Sequence, residues 1–257
     1  MDIQTLIQQE LSITSFACSS LTRLSGGTAN FVYRGVLSTP LADGTSTVIV
    51  KHAEDYLASN EEFKLSAKRC LIEERALDAQ QRGQCSSACN SGHGRDSKII
   101  ARTPKLYHTS HATNTLVMED LPDAVDLKTF LRSPDLSQNI SREQAFAIGR
   151  ATGLWLSSFH ARMSDPQMED TAQAFSDNKT MRELKFSVNY DGLVNMVDRY
   201  PDLLGDCRAV FEEVRQFAAA ELEENGIEDQ DKREMRIGRT GPIHGDFWSG
   251  KYVPLPF

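Results

Sequence analysis

The order of apolar and polar positions reads as sheet with one helix in the first third of the chain. A short strand runs from Leu21 to about Gly26, and Ser25-Gly-Gly-Thr-Ala-Asn30 makes a glycine turn. Phe31 to Leu37 resumes in extended form, and Thr39-Pro-Leu-Ala-Asp-Gly44 carries Pro and Asp-Gly turn signals. Thr47-Val-Ile-Val-Lys51 is a β-branched strand. Ser59 to Gln80 is predicted as a charged helix with Phe63, Ala67, Cys70 or Leu71, and Leu77 on its apolar side. Arg82 to Ser97 holds Gly, Ser, Cys and Asn with little apolar content, the pattern of an insertion loop.

Strand signals return at Ile99-Ile100 and at Thr115-Leu-Val-Met118, followed by Glu-Asp-Leu-Pro122. Beyond that point the pattern turns helical. Ser141-Arg-Glu-Gln144 is a capping box that opens a long helix to about Met163. A further helix is expected from about Asp206 to Glu224, with Val210, Val214, Phe217 and Ala218 on one face. Strands followed by helices predict an α+β protein of two lobes joined near Val117 to Pro122.

Composition narrows the class. Hydrophobic residues at 40% and charged residues at 25% are those of a globular chain, and exclude a disordered, collagen-like or disulfide-dense one. Lys and Arg number 28 against 36 Asp and Glu, a net charge of −8. Duplex nucleic acid is a poor partner for that balance, whereas cationic or neutral small molecules are compatible with it. No apolar run has the length of a membrane span, and MDIQTLIQQE has neither a basic nor an apolar signal region, so a cytoplasmic protein is expected. The 5 cysteines, an odd number, fit reduced thiols. Cys85 and Cys89 with His93 lack a fourth ligand nearby, so they read as loop and no metal site is expected of them.

Three features carry chemistry. In the glycine turn, Gly26 and Gly27 leave no Cβ, so backbone amides can approach a phosphate, although a lone Gly-Gly hairpin is commonly a plain turn. Lys51 closes an apolar strand. Alone it reads as a snorkelling surface lysine; Glu73 or Glu74 on the next helix offers it an ion pair, as in kinases. Glu73 is preferred because it shares a helix face with Leu77. The third feature is Pro242-Ile-His-Gly-Asp246-Phe-Trp248, where an Asp after a short apolar strand suits a base toward a hydroxyl.

Taken together, Leu24-Ser-Gly-Gly-Thr-Ala-Asn30, Val50-Lys51, Glu73 with Ala76-Leu77, Leu116-Val-Met-Glu-Asp-Leu121, Ser158-Phe-His160 and His244-Gly-Asp-Phe-Trp248 stand in kinase order. The chain resembles the aminoglycoside phosphotransferase and choline kinase-like family, which has the protein-kinase fold. The resemblance implies a nucleotide-binding lobe over 1–116, a hinge over 117–122 and a helical lobe over 123–257. It implies ATP held by Ser25, Gly26, Gly27, Thr28 and Asn30 over the phosphates, with Lys51 paired to Glu73. Met118 would line the adenine pocket, and the Glu119 carbonyl and Leu121 amide would bond the adenine edge. Asp246 would act on the hydroxyl of a small-molecule acceptor, and His160 would pack beneath the catalytic loop.

The sequence also departs from that family. Its magnesium-binding Asn falls five residues after the catalytic Asp, where this chain has Lys251. An ammonium repels a divalent cation. The family's second magnesium-binding Asp has no counterpart before Phe257, and the resemblance stops after Gly250, as in a chain cut short by a retained intron, frameshift or early stop. The expectation is an ATP-dependent small-molecule kinase with impaired phosphotransfer and missing magnesium ligands. The alternative is a non-catalytic nucleotide-binding pseudokinase or a truncated gene product.

Overall fold

A computed structural model describes residues 2–25, 27–82, 87–90, 98–134, 140–163 and 165–224. The described residues fall into two compact units, one reaching Thr171 and the other starting at Ala172. The protein is α+β.

The first unit is built on a five-stranded antiparallel sheet. Its strands are β1 (Cys18–Arg23), β2 (Phe31–Leu37), β3 (Thr47–His52), β8 (Leu106–Ser110) and β9 (Thr115–Glu119), in the order β1-β2-β3-β9-β8. Tyr33 lies opposite Val50, which in turn lies opposite Val117. Side chains of a strand alternate between faces, so these three share one face with Leu21, Phe31, Leu37 and Val48. Helix α1 (Ile3–Leu11) seals that face with Ile7 and Leu11, both 0% exposed. Gly35 fits this core because it lacks a side chain. A Cβ there would stand 2.6 Å from Cys18 Sγ and 3.2 Å from Leu21 Cδ2.

The opposite face carries Val32, Arg34, Ile49, Lys51, Leu116 and Met118. Helix α2 (Arg69–Arg82) covers its β9 side, where Cys70 and Leu77 pack with Leu116 and Met118. Toward β2 the face is only half-buried at Val32, Arg34, Ile49 and Lys51. One face is closed, and the other is partly open.

The expected helix from Ser59 begins later, at Arg69. Residues before it form a small hairpin of β4 (Tyr56–Leu57) and β5 (Asn60–Lys64). Its turn is bonded to the glycine turn, with the Ser59 amide donating to the Thr28 carbonyl at 3.1 Å and the Ala58 amide to the Ala29 carbonyl at 3.4 Å. That tertiary pairing overrides the helical composition of Glu61, Glu62 and Lys64. The stretch expected as an insertion loop contributes β6 (Ser87–Asn90), which pairs with β7 (Lys98–Ala101). Cys85 and His93 lie outside the described residues.

After α3 (Leu127–Arg132) comes α4 (Arg142–Met163), opened by the capping box. Gln144 N donates to Ser141 Oγ at 3.2 Å, and Ser141 N donates to Gln144 Oε1 at 2.8 Å. Ala147, Ala151, Trp155, Phe159 and Met163 form its buried stripe, the four-residue spacing of one helix face. His160 follows the stripe, and the catalytic loop beneath which it is expected to pack lies outside the described residues; its neighbour Phe159 is buried and stacks on Trp155. Arg162 Nε donates to the Ala79 carbonyl at 2.9 Å, tying α4 to the end of α2. The second unit is helical, and its longest helix runs Arg208–Glu224, slightly inside the expected bounds. Val210, Val214 and Phe217 on that helix are exposed. Among the described residues no helix is long and apolar enough to cross a membrane.

Adding a methyl at Gly35 tests the closed face. Gly35→Ala is expected to cost about 1–3 kcal/mol by overpacking, and Cys18→Ala in the same chain to return part of it. Urea unfolding of the two variants and the parent measures both effects.

Candidate functional site

The open face of the sheet gathers the charged residues of the first unit. Lys51 stands opposite Leu116 on the central strand, and Leu77 of α2 packs against that same apolar patch. Glu73, one turn before Leu77, therefore faces the lysine. Lys51 Nζ lies 2.5 Å from Glu73 Oε1 and 2.6 Å from Oε2, and both side chains stay partly accessible, at 24% and 30%. The neighbouring Glu74 is turned away and engages His111 Nε2 at 2.8 Å. Such a pair holds an ammonium at a fixed point while leaving it reachable from solvent.

The glycine turn joins β1 to β2 and is closed by the Leu24 amide donating to the Val32 carbonyl at 2.8 Å. Gly27 is packed tightly: a Cβ there would meet the Asn30 carbonyl and Val32 Cγ2, each at 3.3 Å. Ser25, Thr28 and Asn30 belong to the same turn, and Gly26 lies outside the described residues. The Thr28 and Ala29 carbonyls are bonded to the β4–β5 turn. The Asn30 side chain accepts from Arg69 Nε at 3.0 Å, so it braces the turn.

Arg69 is a residue that sequence reasoning missed. Its guanidinium also donates to the carbonyls of Glu54 and Leu65, each at 2.7 Å, and to those of Ser66 and Ala29, each at 2.9 Å. One planar fork thus joins the glycine turn, the end of β3, the β5 exit and the start of α2. An arginine at a helix start carries no spacing signal for this role.

At the far end of β9, consecutive side chains point to opposite faces. Glu119 pairs with Arg102, Nη1 at 2.5 Å and Nη2 at 2.8 Å, and accepts from the Lys105 amide at 3.1 Å. The Arg102 hydrogen bond holds the Glu119 carboxyl below the usual carboxylate range. The Asp120 side chain is 2% exposed and paired with Arg34 of β2: Nη2 donates to Oδ1 at 3.0 Å, and Nε lies 2.8 Å from Oδ2 without forming a hydrogen bond. This pair was also missed, although a charge between apolar neighbours in a strand marks Arg34 as unusual. Met118 is buried beside Leu116 under α2. The Leu121 carbonyl accepts from the Ala124 amide at 3.1 Å, shaping the exit from the sheet.

Asp246 and Lys251 lie outside the described residues. Among the described residues no group of three or more His, Cys, Asp or Glu side chains is placed to hold a metal ion. The structure brings together the glycine turn, Lys51, Glu73 and the Met118–Leu121 segment within one unit.

Comparison with known proteins gives a consistent class. The chain is 34% identical over 260 residues to the phosphotransferase FrzJ of a Cladobotryum species, covering 99% of this chain and 64% of that protein. It is 29% identical over 162 residues to the 4-hydroxytryptamine kinase of Psilocybe cyanescens, covering 63% of this chain and 42% of that enzyme. The 4-hydroxytryptamine kinase of Psilocybe cubensis is 25% identical over 156 residues, covering 59% of this chain and 40% of that enzyme. The chain therefore spans less than two thirds of the length of these relatives. No protein-family profile matches it. Its homologues carry the names phosphotransferase and 4-hydroxytryptamine kinase.

Two outcomes follow from this geometry. Arg69→Met removes the bonds that brace the glycine turn, and a loss of about 3 kcal/mol is expected from charged hydrogen bonds of this kind, read from denaturant unfolding. The second concerns Cys70, whose thiol is pushed up to about 11 by burial, with Glu73 and Glu74 adding to it. The folded state therefore keeps this proton more tightly than the unfolded chain. Its stabilising contribution is complete below about pH 9 and fades as the pH rises toward 11. Compared with Cys70→Ala, the parent protein should lose about 2 kcal/mol of relative stability between about pH 8 and 10.5.

Proposed function

We propose that this chain carries the nucleotide-binding part of an ATP-dependent small-molecule kinase with a two-lobed, protein-kinase-like fold. The nucleotide lobe covers 1–116, the hinge 117–122, and the helical lobe follows from 123. The observation that carries the reading is the Lys51–Glu73 pair on the open sheet face, in a unit that also presents a braced glycine turn.

Lys51 supplies positive charge to the α- and β-phosphates, and Glu73 keeps its ammonium from swinging away. The turn is held through its Thr28 and Ala29 carbonyls, and its backbone amides receive phosphate oxygens. Met118 borders the adenine site. The Glu119 carbonyl accepts from the adenine amine, and the Leu121 amide donates to the ring edge. Asp246 orients the acceptor hydroxyl and takes its proton as the acceptor oxygen attacks the γ-phosphorus and the bond to the ADP oxygen breaks.

The acceptor fits the class of amine-bearing alcohols and phenols. The chain's net charge of −8 suits a cationic amine, and two relatives are named for a hydroxylated tryptamine. Aminoglycosides and choline-like alcohols belong to the same chemical class.

A second reading, nucleotide binding with impaired transfer, is favoured by one residue. Lys251 stands five positions after Asp246, where the resembled family has the magnesium-binding Asn. Magnesium supplies charge neutralisation between the phosphates in such enzymes.

Calorimetry with ADP tests the shared part of both readings. Affinity is expected to fall about tenfold or more in Lys51→Ala, the factor given by ~1.4 kcal/mol of lost binding; equal affinity in the variant overturns the assignment. A phosphorylation assay with ATP, magnesium and a panel of hydroxytryptamines, aminoglycosides and amino alcohols separates the two readings. Magnesium-dependent product supports the kinase, and binding without product supports the impaired chain.

A further inference from the structure

Glu119 and Asp120 are adjacent, yet their side chains are anchored on opposite faces of the sheet. Glu119 shares its face with Val117 and is held by Arg102 and the Lys105 amide. Asp120 reaches Arg34, which shares the other face with Ile49 and Lys51. The Arg102–Glu119 anchor is a two-point contact between guanidinium and carboxylate. The Arg34–Asp120 anchor is an ion pair with one hydrogen bond, Nη2 to Oδ1, to a side chain that is 2% exposed. Charged hydrogen bonds of this kind constrain direction as well as distance. The peptide linking two residues pinned this way has little freedom to rotate. The clamp sits where the chain leaves β9, before Pro122 and the turn closed from Ala124 to Leu121.

We infer that the Arg34–Asp120 pair is a positioning and specificity element that, opposed by Arg102–Glu119, aims the 119–121 backbone so that the site selects adenine over other purines. This rests on the nucleotide-binding reading above. The backbone offers an acceptor at the Glu119 carbonyl and a donor at the Leu121 amide. Adenine presents an exocyclic amine to the first, whereas hypoxanthine presents a carbonyl there. Two acceptors facing each other leave both without a partner, which penalises the wrong base more than the right one is rewarded. Such discrimination holds only while the peptide planes keep their direction. Asp120 is the residue that sequence reasoning passed over, because its partner lies 86 positions earlier in the chain.

The test compares affinities for ADP and inosine diphosphate in the full 257-residue chain. The parent is expected to prefer ADP by about tenfold or more, one hydrogen-bond mismatch by the usual conversion. Asp120→Asn keeps the shape of the side chain but loses the charge of the ion pair. Arg34→Lys keeps the charge and loses the Nη2 hydrogen bond to Oδ1. In both variants the preference is expected to shrink to about twofold or less. A role limited to stability predicts a different pattern, because partial unfolding lowers both affinities together and leaves their ratio unchanged. An unchanged ratio in both variants overturns the inference, whatever happens to their melting temperatures. So does a parent chain that binds the two nucleotides equally well. If ADP affinity does not depend on Lys51, the nucleotide-binding reading fails first and this inference falls with it.

Discussion

The period of two along β3 is the constraint on which the first unit depends. Val48 and Val50 go to the closed face, while Ile49 and Lys51 go to the open one. A slip of one residue would turn the lysine into the core and the valines out of it. The register with β2 and β9 forbids that, since Tyr33, Val50 and Val117 must meet under α1. The chemistry of the site follows from the same alternation. A sheet sealed on one side by an apolar helix can present polar groups on the other without unsettling the core.

The open face is organised by three charged contacts, each with a different duty. Lys51 with Glu73 fixes a charge, Arg34 with Asp120 fixes a strand exit, and Arg69 fixes a loop through carbonyls. The first keeps both its side chains partly accessible, at 24% and 30%. The other two act within the protein: Arg34–Asp120 is a partly buried ion pair and Arg69 bonds backbone carbonyls, and both hold geometry. Arg69 satisfies backbone oxygens where four segments converge, and regular secondary structure cannot do that.

Much of this site was legible in the sequence because the signals were local. The β-branched run of β3, the glycine turn and the Ser141–Gln144 box each announce themselves within a few residues. The choice of Glu73 over Glu74 needed only helix periodicity. What was illegible depends on tertiary partners. The Tyr56–Lys64 hairpin has helix-forming composition, and it is made extended by bonds to the glycine turn. Arg69 and the Arg34–Asp120 pair act through groups distant in the chain, and no spacing rule connects them. The apolar stripe of α4 runs through Phe159, one residue before His160.

The strand order has a consequence for how the protein is made. β3 is flanked by β2, which precedes it, and by β9, which is synthesised after β4, β5, α2 and the β6–β7 hairpin. While those segments emerge from the ribosome, one edge of β3, with its Val48-Ile49-Val50 run, has no neighbour. An unpaired edge of that kind is a template for association with other chains. Lys51 and His52 at the end of the strand place polar groups there, but Val48, Ile49 and Val50 do not. Expression yield should therefore respond to synthesis rate and chaperone supply through the interval from Thr47 to Glu119, and far less to changes in the helical second unit.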